Sequence, residues 1–161
     1  MKTVLVTGGN RGIGLEICRQ LDSLGHRVIL GSRDLEKGIK AAVSFSENVY
    51  VKQLDVTDEK SIQHLFEFIK TDIGKLDVLI NNAGLFNSKR VLTEDGYEST
   101  FGVDYLAHFY LVLLLIEELK AGAPSRIINV SSNIHLFFGL KINDLQQEKR
   151  YRSQKAYGNA K

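Results

Sequence analysis

The sequence has few of the residues that mark secreted or membrane-embedded proteins. Its 161 residues include one cysteine, one proline and no tryptophan. The single cysteine, Cys18, has no partner for an internal disulfide, which is typical of a reducing compartment. The longest unbroken apolar run, Phe109–Ile116, has eight residues, whereas a membrane-spanning helix needs about 20. We therefore expect no membrane span, and because no targeting segment is visible the sequence predicts a cytoplasmic protein.

An excess of charge of one sign is also lacking. Lys and Arg total 21 against 19 Asp and Glu, which gives a net charge of +2. This balance argues against a nucleic-acid partner or an anionic membrane surface. The four histidines show no paired spacing and no nearby cysteine, so the sequence predicts no metal site.

What the sequence does contain is a regular alternation of short β-branched runs and amphipathic segments. At roughly 150 residues per domain, the length predicts one domain, residues 1–161. Helical spacing predicts helices between the runs, one of them capped by Thr57 and one extending from about Thr93 to Lys120. Strands joined by such crossovers predict an α/β fold with a doubly wound parallel sheet. The predicted strands are Lys2–Thr7, Val28–Leu30, Val49–Leu54, Leu76–Asn81 and Arg126–Ser131.

A glycine-rich segment, T-G-G-N-R-G-I-G at residues 7–14, follows the first strand and opens the first helix. Glycines let the backbone approach a pyrophosphate, and the helix N-terminus offers N–H groups and a positive dipole end. A plain glycine-rich turn is the alternative, but the strand–turn–helix setting favours dinucleotide binding in a Rossmann-type fold. The candidate cofactor contacts in this loop are Gly8, Asn10, Arg11, Gly12, Ile13 and Gly14.

The end of the second strand bears on which dinucleotide is bound. A protein that selects NAD usually has a carboxylate there for the ribose 2′-hydroxyl, whereas this chain has Ser32 followed by Arg33. We interpret the next residue, Asp34, as the cap of the following helix. Arg33 and Arg11 offer guanidinium groups to a 2′-phosphate. The sequence therefore predicts NADP(H) as the cofactor.

Tyr157 and Lys161 are four residues apart, so they are neighbours on one face of a helix. An ammonium group there is expected to lower the pKa of the phenol, which could then exchange a proton with a carbonyl oxygen near neutral pH. Tyr151 and Lys155 have the same spacing. We prefer the first pair, because small residues after Tyr157 allow close packing whereas Arg152 suits a solvated face.

Taken together and in this order, the motifs resemble those of the short-chain dehydrogenase/reductase family over nearly the whole chain. The motifs are T-G-G-N-R-G-I-G, L-D-V at Leu54–Val56, N-N-A-G at Asn81–Gly84, V-S-S at Val130–Ser132 and Y-G-N-A-K at Tyr157–Lys161. The segment Phe101–Phe109 and the long interval from Ser132 to Tyr157 are most similar to the retinol dehydrogenase and carbonyl reductase branches.

The resemblance implies hydride transfer between a nicotinamide cofactor and a small-molecule carbonyl or alcohol. It implies that Ser132 bonds the substrate oxygen, that Tyr157 is the acid/base, and that Lys161 holds the nicotinamide ribose and tunes Tyr157. It also implies a further group of cofactor-lining residues, namely Asp55 at the adenine, Val56, Asn82, Ala83 and Gly84.

Two departures from the family pattern mean that a second candidate function must be considered. Asp104 occupies a position where the family usually has Asn, and we count it among the candidate catalytic residues, the alternative being that it faces solvent. The chain stops at Lys161 where relatives continue, so we expect a fold that is incomplete at its C-terminus, with an unpaired sheet edge and no turnover. The two candidate functions are an oxidoreductase and a non-catalytic dinucleotide-binding module.

The apolar run Phe109–Ile116 supports two further expectations. Because it is apolar on every side, we expect its helix to be buried on two faces. Relatives often dimerise through this helix, so the resemblance implies a homo-oligomer.

Overall fold

The computed structural model describes residues 1–140 and 142–161, and its centre is one sheet of five strands in the order β3-β2-β1-β4-β5. All four neighbouring pairs are parallel. The strand order reverses between β1 and β4, so the predicted doubly wound α/β fold is confirmed. The strands are β1 (Thr3–Thr7), β2 (Arg27–Ser32), β3 (Val49–Gln53), β4 (Val78–Asn81) and β5 (Arg126–Asn129).

Helices cover both faces of this sheet. Alternate residues of a strand point to opposite faces, and the core accordingly divides in two. Leu5 and Leu79 pack with Leu65 and Leu111 on one face, whereas the other face packs around Cys18. The helices are α1 (Gly12–Ser23), α2 (Leu35–Ala41), α3 (Glu59–Phe68), α4 (Ser99–Phe101), α5 (Ala107–Leu114), α6 (Ile116–Ala121) and α7 (Ser153–Ala160).

Side-chain caps set where α2 and α3 begin. The Asp34 carboxylate accepts the Lys37 N–H at 3.1 Å, so its predicted role as a helix cap is confirmed. The cap of α3 is Asp58, which accepts the Lys60 N–H at 3.0 Å. The prediction of Thr57 was wrong by one residue, because the Thr57 hydroxyl instead donates to the Asp55 carboxylate at 2.7 Å.

The long helix predicted from Thr93 begins later and is divided. A turn at Gly96 (φ +83°) precedes it, and Glu98 caps α4 with its carboxylate. A π-helical turn, Gly102–Leu106, then joins α4 to α5. None of the described helices has the length and apolar character needed to cross a membrane.

The apolar segment at α5 is buried on one side only. Leu111 and Leu115 are 1% exposed, whereas Phe109 is 57% exposed and Leu113 is 54% exposed. The prediction of burial on two faces was therefore wrong, because the sheet covers one face and no described element covers the other.

The sheet edge at β5 is open. Ile127 and Ile128 are each 43% exposed, and among the described residues β5 pairs with β4 alone. Unpaired backbone groups on an edge strand can pair with another chain.

Candidate active site

The glycine loop is shaped by backbone that only glycine adopts easily. Gly8 and Gly12 have φ of +65° and +56°, in the left-handed region that side chains disfavour. Gly14 has no room for a side chain, since a Cβ atom there would lie 2.5 Å from Asn82 Nδ2 and closer still to the Gly8 carbonyl oxygen. No described side chain caps the start of α1, which leaves its first N–H groups for an anion.

The end of β4 supports this loop. The Thr7 hydroxyl accepts the N–H groups of Asn82 at 2.9 Å and Ala83 at 2.8 Å. The Asn82 amide nitrogen donates to the carbonyl oxygens of Thr7 at 2.8 Å and Gly8 at 3.2 Å. Asn82, predicted to line the cofactor, thus holds the shape of the glycine loop.

The residues at the end of β2 differ in accessibility. Ser32 is fully buried, and its hydroxyl donates to the Asp34 carbonyl oxygen at 2.7 Å. Arg33 and Arg11 are exposed. The hydrogen bond from Lys37 lowers the pKa of Asp34, and the Lys37 ammonium lies 2.8 Å from that carboxylate. The exposed guanidinium groups are therefore accessible to a ligand, whereas the Asp34 carboxylate is already bonded to Lys37.

The predicted adenine-side residues lie in the turn after β3. One Asp55 carboxylate oxygen accepts the Thr57 N–H at 2.9 Å, and the Asp55 N–H donates to Ser61 Oγ at 2.9 Å. Val56 packs partly against the core. These hydrogen bonds fix the turn, and none of them uses the second carboxylate oxygen of Asp55.

Asp104 and Lys161 form a buried ion pair. The Lys161 ammonium lies 3.4 Å from Asp104 Oδ2, and the two side chains are 5% and 0% exposed. Lys161 also donates to the Val130 carbonyl oxygen at 3.3 Å, and Asp104 Oδ1 accepts the Leu85 N–H at 2.8 Å. A Cβ atom on Gly84 would lie 2.8 Å from the ammonium nitrogen, so this close approach requires glycine. Asp104 therefore faces the site and not the solvent.

The ion pair changes the expected electrostatics of Tyr157. Burial raises the pKa of Asp104 to about 6, against the lowering effect of Lys161. The pKa of Tyr157 is raised, mainly by burial and also by the Asp104 charge. The prediction that Lys161 lowers the Tyr157 pKa was wrong for this structure, because the ammonium is paired with Asp104 and lies 5.7 Å from the centre of the phenol ring.

Ser132 lies in the segment against which α7 packs. Its hydroxyl oxygen accepts the Ile134 N–H at 3.3 Å and begins the 3₁₀ helix Asn133–Phe137. A Cβ atom on Gly158 would lie 2.9 Å from the Phe138 ring, so the small residue after Tyr157 does permit close packing.

Tyr151 occupies a different environment. It precedes α7, so Tyr151 and Lys155 do not share a helix face. Its hydroxyl donates to the Asn87 carbonyl oxygen at 2.9 Å, and burial raises its pKa. The structure thus separates Tyr151 from the Asp104–Lys161 pair.

Sequence reasoning missed His108. It is 7% exposed, and its Nε2 lies 2.8 Å from the Ala83 carbonyl oxygen. A carbonyl oxygen can only accept, so Nε2 carries the hydrogen. Burial lowers the pKa of His108, which favours the neutral ring. Its position one helical turn after Asp104 was the signal that could have placed it here.

The buried residues adjoin a cavity of about 300 Å³, lined in part by Asp104, His108, Ser131 and Lys161. Over the described part of the chain, no group of three or more His, Cys, Asp or Glu side chains is placed to hold a metal ion.

Replacing Asp104 by Asn is expected to change both the ionisation of Tyr157 and the pH dependence of stability. The Asp104 charge raises the Tyr157 pKa, so its removal should move the ionisation of the phenol to lower pH. The raised pKa of Asp104 means that the folded parent binds this proton more tightly than the unfolded chain. Its contribution therefore makes the parent lose stability as pH rises from about 4 to about 6, and the variant should lack that slope. An NMR titration of the Tyr157 ring and denaturant titrations between these pH values test the two effects, and unchanged curves would contradict them.

A protein-family comparison agrees with this fold. The family model for short chain dehydrogenases matches residues 2–140. The chain belongs to the short-chain dehydrogenase family.

Individual relatives point to one branch of that family. Retinol dehydrogenase 12 of Mus musculus is 44% identical over 165 residues, which cover 99% of this chain and 52% of the relative. Among solved structures, an uncharacterized protein from Mycobacterium paratuberculosis has a TM-score of 0.85 at 35% identity, covering 100% of this chain and 57% of that one. Salutaridine reductase from Papaver somniferum has a TM-score of 0.80 at 28% identity, covering 100% and 78%. The chain spans about half the length of the curated relatives it matches.

Proposed function

We propose that residues 1–161 form a single nucleotide-binding domain of an NADP(H)-dependent oxidoreductase, acting on a carbonyl or alcohol substrate. The observation that carries the proposal is the position of Asn82–Gly84. At one end Asn82 supports the glycine loop, and at the other Gly84 lies against Lys161. A ligand that spans this segment would reach from the start of α1 to the ion pair.

The residues at the start of α1 fit the pyrophosphate of a dinucleotide. No described side chain occupies the first N–H groups of the helix, and Gly12 and Ile13 are exposed. The Gly9 N–H donates to the Gly31 carbonyl oxygen at 2.9 Å, so the loop is fixed beside the end of β2 and Arg33. When bound, NADP(H) would supply or accept the hydride.

The chain's own residues would handle the proton. In the direction of carbonyl reduction, the Tyr157 phenol donates its proton to the substrate oxygen as negative charge develops there. The Ser132 oxygen accepts from Ile134, which leaves its O–H free to donate to the same substrate oxygen. Lys161 would bind the nicotinamide ribose.

A second candidate, a non-catalytic dinucleotide-binding module, is favoured by two observations. The Lys161 ammonium is held by Asp104 and the Val130 carbonyl, and the Tyr157 pKa is raised. Cofactor binding without turnover in a chimera that joins residues 1–161 to the C-terminal half of a relative would support this alternative.

The proposed function is tested by assaying NADPH oxidation with aldehydes and ketones, and NADP⁺ reduction with alcohols. Retinol is the first alcohol to assay, since the curated relatives are named retinol dehydrogenases. The cytoplasmic location and the homo-oligomer through Phe109–Ile116 stay predictions.

We expect NADPH to bind at least about tenfold more tightly than NADH, because a charge-assisted hydrogen bond contributes about 1.5–3 kcal/mol. Calorimetric titration with both cofactors measures this ratio. Arg33→Ala should reduce it, whereas Arg150→Ala, which removes an exposed arginine outside the site, should leave it unchanged. Equal or tighter binding of NADH would contradict the prediction.

A further inference from the structure

A buried polar cluster joins the start of α4 to the segment that leads into α7. It consists of Glu98, Gln146 and Gln147, which we call the latch. Glu98 and Gln147 are each 1% exposed. The Glu98 carboxylate accepts the N–H groups of Thr100 and Phe101, each at 2.9 Å, and the Glu98 N–H donates to Gln146 Oε1 at 2.9 Å.

Within the latch, Gln147 is the residue that contacts the start of α7. Its Oε1 accepts the N–H of Arg152 at 3.0 Å, and Arg152 immediately precedes the first residue of α7. Gln147 has a φ of +46°, a left-handed conformation that residues other than glycine disfavour and that persists only where the surrounding structure determines it.

The two helices that start at the latch lead to the same ion pair. Six residues after Glu98, the continuation of α4 brings Asp104 into the site, and α7 leads to Lys161 at its end. Since α7 begins at Ser153, directly after Arg152, the hydrogen bond between Arg152 and Gln147 bears on the position of its first turn.

We propose that Gln147 is a positioning residue, which fixes the start of α7 so that Lys161 meets Asp104 and Tyr157 faces the substrate. This rests on the proposed function for the role of Tyr157, but the placement of α7 can be tested without turnover. The latch contacts the start of α7 through Arg152, and the ion pair contacts Lys161.

The geometry specifies which atom of Gln147 matters. Oε1 has a partner, whereas Nε2 is buried without a hydrogen-bond partner among the described residues. Gln147→Glu therefore keeps the acceptor, beside a helix N-terminus that favours negative charge. Gln147→Asn shortens the side chain and withdraws the acceptor, yet Asn adopts positive φ more readily than Gln does.

This contrast separates positioning from a backbone role. If Gln147 served only to form the turn, Gln147→Asn would be neutral or stabilising. If it positions α7, amide hydrogen exchange of residues 154–161 should become at least about tenfold faster, while exchange in β1 and β4 stays within about twofold of the parent. In Gln147→Glu, amide exchange of residues 154–161 should be as slow as in the parent. Gln154→Asn, at an exposed position on α7 itself, is the matched control.

A second readout follows the ion pair itself. The Asp104 carboxyl carbon is titrated by NMR in the parent and in each variant. Because burial raises the Asp104 pKa and Lys161 lowers it, displacement of α7 in Gln147→Asn should move the titration midpoint away from that of the parent, whereas the midpoint in Gln147→Glu should equal it. Unchanged exchange and an unchanged midpoint in Gln147→Asn would overturn the proposal, as would uniformly faster exchange over the whole chain. The predicted exchange pattern in a protein that binds no nicotinamide dinucleotide would contradict the proposed function but support the positioning role.

Discussion

Replacing Tyr157 by Phe should remove nearly all turnover while cofactor affinity stays within about twofold of the parent. General acid–base groups contribute typically 10²–10⁴-fold to a rate, and the phenol proton has no substitute in Phe. The ring and its edge-on contact with Phe86, 5.7 Å between centres, would be retained. Steady-state kinetics and cofactor titration measure the two quantities. Cofactor titration uses the 161-residue chain, and the kinetics use a chimera that joins it to the C-terminal half of a relative.

Tyr151→Phe is the matched control for this prediction. Tyr151 donates its hydroxyl hydrogen to the Asn87 carbonyl oxygen, so its loss removes a structural hydrogen bond worth about 1 kcal/mol. A modest loss of stability with turnover of the same order as the parent is expected. If Tyr151→Phe proved the more damaging change to turnover, the choice between the two Tyr–Lys pairs would be wrong.

Replacing Gly14 by Ala should abolish dinucleotide binding. The new methyl group would lie 2.5 Å from the Asn82 amide nitrogen and would also press on the Gly8 carbonyl. Neither atom can move without changing the shape of the loop, because the Asn82 side chain bonds the loop to the end of β4. Overpacking of this kind typically costs 1–3 kcal/mol of stability. Calorimetry with NADPH should show at least about a hundredfold weaker binding, and thermal unfolding should occur at lower temperature.

Gly139→Ala is the control for adding one methyl group. A Cβ atom there meets no atom within 4 Å, and Gly139 does not have positive φ. Binding should equal that of the parent and stability should be unchanged or slightly higher, since alanine restricts the unfolded chain. Parent-like affinity in Gly14→Ala would show that the glycine loop does not form the pyrophosphate site.

The architecture was predictable because its signals are local. Buried parallel strands appear as apolar runs, and the glycine loop and the Asp34 cap carry their information within a few residues. The same local reasoning failed at Thr93, since the chain first turns at Gly96 and α4 begins only after Glu98, whose N–H is bonded to Gln146, 48 residues away. It failed at Phe109–Ile116 because composition does not show whether another element packs against the helix face that points away from the sheet.

The electrostatics around the predicted site residues could not be deduced from the sequence. The spacing of Tyr157 and Lys161 suggested that the ammonium acts on the phenol. The structure pairs Lys161 with Asp104 instead, across a contact that joins positions 57 residues apart. His108 and Gln147 carry no motif of their own, and their roles depend on a carbonyl at Ala83 and an N–H at Arg152. Such backbone partners cannot be identified before the chain is folded.

We expect a nicotinamide dinucleotide to lie along the carboxyl ends of β1, β2 and β4, with its nicotinamide end toward Tyr157. This placement is tested by titrating the isotopically labelled 161-residue chain with NADPH while backbone amide signals are followed by NMR. We predict saturable shifts at residues 8–14, at Ser32 and Arg33, and at residues 82–84, with smaller shifts near Tyr157. Saturable binding that leaves the signals of residues 8–14 unmoved, or no binding at millimolar NADPH, would contradict the account.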